Sequence, residues 1–68
     1  MSFREWLYAQ LVADEVIDDE ETTIEDLSKD MLITETSLYE DDIESYENDF
    51  REYCDNTDQE PDWDLPED

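Results

Sequence analysis

The chain has 68 residues, 25 of them Asp or Glu against 3 Lys or Arg and no His, giving a formal net charge of −22. That sign argues against direct binding to nucleic-acid phosphates or to an anionic membrane surface, and the lack of His and Gly excludes imidazole acid–base work and a glycine-rich phosphate loop. With 37% apolar and 12% aromatic residues the chain carries more core-forming material than a disordered acidic tail, so part of it is expected to fold.

The charge is uneven along the sequence. Residues 1–17 hold only Glu5, Asp14 and Glu15, partly offset by Arg4, and are mostly apolar. Ser2 followed by Glu5 reads as a capping box. Phe3, Trp6, Leu7 and Leu11 then recur at helical spacing, and Tyr8, Val12, Val16 and Ile17 widen the apolar face. A helix this apolar is expected at the centre of the core, covered on more than one side. Asp18, Asp19, Glu20 and Glu21 end it as an exposed loop, because adjacent carboxylates are not buried without partners.

Thr23 with Asp26 gives a weaker capping signal, and Ile24, Leu27 and Met31 predict a short second helix over 24–31, with Leu32-Ile33-Thr34 as a brief extended connector. Ser37 and Glu40 form a further capping box. Beyond it Tyr39, Ile43, Tyr46, Phe50 and Tyr53 make a heptad-like seam on a helix over 38–54, about 26 Å long. Between them lie Glu40, Asp41, Asp42, Glu44, Glu47, Asp49 and Glu52, against one Arg51 placed to pair with Glu47. In the plainest reading the stripe is core and the acids are its solvated back.

Residues 55–68 contain seven acids, Pro61, Pro66 and two isolated large apolar residues, Trp63 and Leu65, and are expected to be mobile on their own. Trp63 either tucks back onto the core or anchors a partner. The expected architecture is therefore all-α: a small three-helix domain over 1–54 with an acidic, partly flexible C-terminal tail over 55–68.

A domain this short rarely holds more than about 3–5 kcal/mol of stability, and self-repulsion subtracts from it, so a partner, a homodimer or bound cations would help. The single Cys54 forms no internal disulfide, lacks a His partner and reads as a packing residue, which fits a reducing cytoplasm. No apolar run approaches a membrane span and no signal peptide is evident. Asn56, Asp58, Glu60 and Glu67 fall on calcium-loop positions, but Pro61 stands where that loop needs Gly, so loose divalent binding by acid clusters is expected and no specific metal or cofactor site.

Duplex DNA carries one charge per roughly 1.7 Å of axis, so 22 charges correspond to about 37 Å, about one turn, and a folded domain of this length is about 30 Å across. In size, charge and organisation the chain resembles the DNA-mimic inhibitors, many of them phage proteins of the anti-restriction and anti-CRISPR class, a likeness that involves no shared motif. It implies an acidic protein, not an enzyme, that binds the DNA- or RNA-binding surface of a basic partner and blocks it. The residues expected at that interface are Asp18, Asp19, Glu20, Glu21, Glu40, Asp41, Asp42, Glu44, Glu47, Asp49, Glu52 and Trp63. Separately, Ser2-Phe3-Arg4-Glu5-Trp6-Leu7 and Ile24-Glu25-Asp26-Leu27-Ser28-Lys29-Asp30 are similar to the opening of the small YozE/SAM-like helical proteins, a resemblance that implies a compact helical bundle. Two other expectations stand beside the mimic: an adaptor whose tail carries a linear motif at Trp63-Asp64-Leu65, and a small chaperone for a basic protein.

Overall fold

Ser2 opens the first helix as the sequence predicts, its hydroxyl accepting from the Glu5 N–H at 3.2 Å. In a computed structural model, which describes residues 1–67, this helix, α1, spans Phe3–Ala13. Its buried residues, Phe3, Leu7 and Leu11, recur every fourth position, while Trp6 and Tyr8 flank them half-buried. The helix ends four residues before the apolar pattern does. Glu15 adopts φ 61°, the Val16 N–H reaches back to the Leu11 carbonyl at 2.9 Å and the Glu15 N–H to Val12 at 3.1 Å, which together form a Schellman stop. Val16 and Ile17 therefore fold back beneath the helix end instead of extending it.

Asp18–Glu21 form the expected exposed turn, closed by the Asp18 side chain accepting from the Glu20 N–H at 3.0 Å. The second predicted helix is displaced. Residues Ile24–Asp26 make only one 3-10 turn, with Asp26 accepting from the Thr23 hydroxyl at 3.1 Å, and helix α2 runs Lys29–Glu35. Leu32-Ile33-Thr34, expected to be extended, lies inside α2 and buries Leu32. The cause is Ser28, whose hydroxyl accepts from the Met31 N–H at 3.1 Å and so starts a new helix within the predicted one.

Helix α3 spans Glu40–Asn56. Its start is set by Asp42, which accepts from the Tyr39 N–H at 3.0 Å, and not by the predicted Ser37–Glu40 box. The seam also shifts. Ile43, Phe50 and Cys54 are buried, Tyr46 is half-buried, and Tyr39 and Tyr53 stand outside, 75% and 40% exposed. The heptad spacing is present, but with α1 as the facing element the inward stripe centres on Phe50 and takes in Cys54, the packing residue expected from its acidic, His-free setting. The core joins Phe3, Leu7, Leu11, Leu27, Leu32, Ile43, Phe50 and Cys54.

The tail is built into this core. Asp62 pairs with Ser2 as an isolated parallel bridge, the Phe3 N–H donating to the Asp62 carbonyl at 2.8 Å. One Asp64 carboxylate oxygen accepts from the Arg4 N–H at 2.8 Å and the other from the Ser2 hydroxyl at 2.6 Å. Farther on, the carbonyls of Pro66 and Glu67 accept from Lys29 and Asp30 at 2.9 and 2.8 Å. The first three N–H groups of α1 and of α2, which have no intrahelical acceptors, are thus all satisfied, four of the six by the tail. Residue 68 of the expected tail lies outside the described residues.

The second helix terminus of the same kind follows α3, where Asp58 sits at φ 60° and the Gln59 N–H returns to the Cys54 carbonyl at 2.9 Å. The chain has no Gly, and acidic residues occupy the two left-handed positions among the described residues, where Gly is the usual residue. A left-handed non-Gly residue costs roughly 1–2 kcal/mol, less for Asp, and the negative charge also opposes the helix dipole. Glu15→Gly should raise stability by about 1 kcal/mol after the entropy of Gly is subtracted, about 4–8 °C in Tm for a domain of this size, and Asp58→Gly by less. Thermal melts followed by circular dichroism decide it; an unchanged or lower Tm for Glu15→Gly would show that the stop is not strained.

Candidate interaction surface

Helix α3 presents its acids on three sides. Opposite the Ile43–Phe50–Cys54 stripe, helical geometry places Asp41, Glu44, Glu52 and Asp55, all exposed. Asp42 and Asp49 lie on the flank shared with Tyr46, and Glu40 and Glu47 on the flank facing the tail. The acids predicted for this helix are exposed except Glu47, which is half-buried beside Lys29, Trp63 and Leu65. The Glu47–Arg51 ion pair is not formed. Instead Arg51 lies over the Trp63 ring, its Cζ 6.0 Å from the centroid, where the cation meets the ring face.

Trp63 packs inward on one side. Its ring centroid is 5.1 Å from that of Phe3 and 5.3 Å from that of Phe50, within a cluster that also includes Trp6, yet 45% of the residue is exposed. Of the two roles left open for it, packing back onto the core is observed, and its outer edge lies at the surface beside Arg51.

One residue of this surface had no sequence signal. The Tyr46 hydroxyl donates to Asp14 at 2.8 Å, which fixes the C-terminal end of α1 against the middle of α3 and adds the Asp14 carboxylate to Asp42 and Asp49 around a hollow of about 320 Å³. Burial, the hydrogen bond to Asp14 and the charges of Asp14, Asp42 and Asp49 push the Tyr46 hydroxyl up to about 12. Because the folded value lies above the ordinary one near 10, this group's contribution to stability is complete below about pH 10 and lost as pH rises through about 12. Asp14→Asn should move the Tyr46 titration down without restoring the ordinary value, since burial persists; tyrosinate absorbance, assigned with Tyr46→Phe, measures it.

The turn at Asp18–Glu21 borders a second, larger hollow of about 760 Å³ between the end of α1 and α2. Glu15, Asp18, Asp19, Glu21 and Glu35 line it together with Val12, Val16, Ile17 and Met31. The proximity of the turn acids to Glu35 was not legible in the sequence, because it depends on where α2 begins. The acids of this turn and those of α3 stand on separate parts of the fold, joined through Asp14 and Glu15 at the end of α1.

Asp64, at the N-terminus of α1, behaves differently from the surface acids. Burial alone would raise its pKa, but hydrogen bonds from Ser2, Arg4 and its own N–H, with the Arg4 charge, outweigh that and hold the carboxyl below its ordinary value. Among the described residues no three acid or Cys side chains converge as a metal site, and no helix is long and apolar enough to cross a membrane. No protein family, curated protein or solved structure matches the chain.

Proposed function

We propose that this protein is a nucleic-acid mimic that occupies the DNA- or RNA-binding surface of a basic partner and inhibits it, with no chemistry of its own. The observation that carries the reading is the charge spacing on α3. Its 17 residues hold eight acids against Arg51, a net charge of −7 over about 26 Å, or one per about 3.7 Å. One strand of a duplex carries a charge per about 3.4 Å. The whole molecule measures 32 × 24 × 21 Å, close to one duplex turn in its long dimension. Carboxylates replace phosphates because Arg engages either one bidentately and Lys engages either as a point charge.

The placement of the acids supports the same reading. Acidic residues stand at both left-handed helix stops and no basic residue lies in the last turn of α1 or α3, so stability is given up where charge is gained. The adaptor reading finds less support, since Trp63, Asp64 and Leu65 are all engaged within the chain and would have to give up those contacts to act as a linear motif. A mimic of this type would act in the cytoplasm, that of the host if phage-encoded, against restriction or CRISPR machinery or another nucleic-acid enzyme.

The test begins with a pull-down at low and high salt to obtain the partner, followed by competition with labelled duplex. The protein should displace the duplex, with an affinity that falls steeply with salt. Changing the exposed Asp41, Glu44, Asp49 and Glu52 together to Asn or Gln, with the Asp42 cap kept, should weaken binding about tenfold or more while leaving helicity intact, since each exposed contact contributes about 0.2–1 kcal/mol. A ternary complex in which duplex affinity is undiminished would rule out mimicry.

A further inference from the structure

We infer that the tyrosine flank of α3 docks in a groove built for single-stranded nucleic acid, its rings taking the places of bases and its carboxylates those of phosphates. The inference rests on the mimic reading and deepens it by naming the class of site the partner carries. Its basis is a repeat within α3. Tyr39-Glu40-Asp41-Asp42-Ile43 is followed seven residues later by Tyr46-Glu47-Asn48-Asp49-Phe50, and Tyr53 stands at the same step again. Seven residues advance a helix by about 10.5 Å with a drift of about 20°, so the three tyrosines form one line along α3. Asp42 and Asp49 follow beside them, each three residues after a tyrosine. Such spacing ordinarily marks a seam against a facing helix, yet only Tyr46 is engaged, through its hydroxyl bond to Asp14. Tyr39 and Tyr53, two turns to either side, are exposed.

Charge and ring exposure together select the occupant. A second copy of this chain would complete the seam but brings a charge of −22 against Asp42 and Asp49. A groove built for duplex has no counterpart for the rings, because a duplex keeps its base faces in the stack and shows only their edges. Single-strand grooves combine Lys and Arg along the backbone track with aromatic side chains on which unstacked bases lie. A flank that alternates rings with carboxylates complements both elements. The tyrosines stack on the aromatic side chains or beneath Arg guanidinium groups, and the acids meet the cations. At a step of about 10.5 Å the rings are too far apart to stack on one another, so each is free to meet the partner.

The experiment takes the partner recovered by pull-down and measures displacement of two labelled probes by the full chain. One is an oligo(dT) strand of about 12 nucleotides, within the site size of such grooves, and the other a duplex of the same length. The partner should prefer oligo(dT), and the chain should displace it competitively. Tyr39→Leu and Tyr53→Leu should each weaken binding about tenfold, with helix content unchanged because both positions are exposed. The loss should be the same at every salt concentration, since the rings carry no charge, whereas Asp49→Asn should reduce the salt slope. Phe at both tyrosine positions should keep most of the affinity. A partner that binds duplex and not oligo(dT), or Leu variants equal to the parent, overturns the inference while the mimic reading stands. Displacement of neither probe removes the mimic reading and this inference with it. Self-association of the chain that is lost in the Leu variants assigns the seam to a second copy and also overturns it.

Discussion

Phe50→Ala should leave the chain largely unfolded at 25 °C in low salt. Phe50 is fully buried at the meeting point of α1, α3 and the tail, with its ring centroid 5.1 Å from that of Phe3 and 5.3 Å from those of Trp6 and Trp63. Truncation removes one member of a four-ring cluster and leaves a cavity that three rings fixed by other contacts are poorly placed to fill. Such changes cost about 3–5 kcal/mol, comparable to all the stability a domain of this size ordinarily has. Phe50→Leu keeps most of the volume and should retain a cooperative melt at reduced Tm. Helix content and denaturant midpoints decide the matter, and a cooperative Phe50→Ala transition within a few degrees of the parent would place the centre of the core elsewhere.

Removing residues 59–68 should have the second large effect, a loss of structure greatest in α2. The deletion takes acceptors from the N–H groups of Phe3, Arg4, Lys29 and Asp30 and removes the Trp63 ring from against Phe3 and Phe50 and Leu65 from against the core. Each hydrogen bond contributes about 0.5–1.5 kcal/mol, and a seven-residue helix left with the Ser28 cap alone does not hold its structure by itself. Opposing this, five acids leave with the segment and self-repulsion falls. We expect the contacts to win, because the lost groups close two helix termini at once whereas exposed charges are screened even at 0.1 M salt, where the Debye length is about 10 Å. Added peptide 59–68 should restore helicity in part. A truncated chain as stable as the parent would mean that repulsion, not closure, governs the energetics of the tail. Asp64 gives an acid-side signature of the same device: with its folded value below the ordinary one, its contribution is present above the ordinary carboxylate range and is lost as pH falls through the lowered value.

What could be read in advance followed local rules. The Ser2 cap and the Phe3–Leu7–Leu11 stripe of α1 are written in adjacent residues, and the turn acids Asp18–Glu21 and the outer acids of α3 are exposed because carboxylates keep their water. What could not be read depends on distant residues. Ser28 looks like any serine inside a helical pattern until the Pro66 and Glu67 carbonyls arrive to close the end it begins. Tyr39 and Tyr53 fit the spacing of a seam, but nothing in the spacing says that the facing helix is only 11 residues long and covers the middle of α3. Glu15 and Asp58 carry no sign of a left-handed stop, since the usual marker is Gly and the chain has none. The candidate surface was legible for the same reason as its exposure, whereas Asp14 joined it only through the hydroxyl of Tyr46.

The pairing of Ser2 with Asp62 also bears on how the molecule acquires its structure over time. Bringing together segments about 60 residues apart costs about 3.6 kcal/mol in the logarithmic part of the loop-closure entropy, far more than a turn within one helix. Helices form in microseconds or less, so α1 and α3 can dock while this long loop is still open, and the segment around Asp62 is expected to arrive last and leave first. Its opening would uncover Phe3 and free the ends of both α1 and α2 in one event, so it is expected to behave as a sub-global unit of the native ensemble. Hydrogen exchange at the Phe3, Lys29 and Asp30 amides reads that opening directly, apart from the slower exchange of the α3 interior.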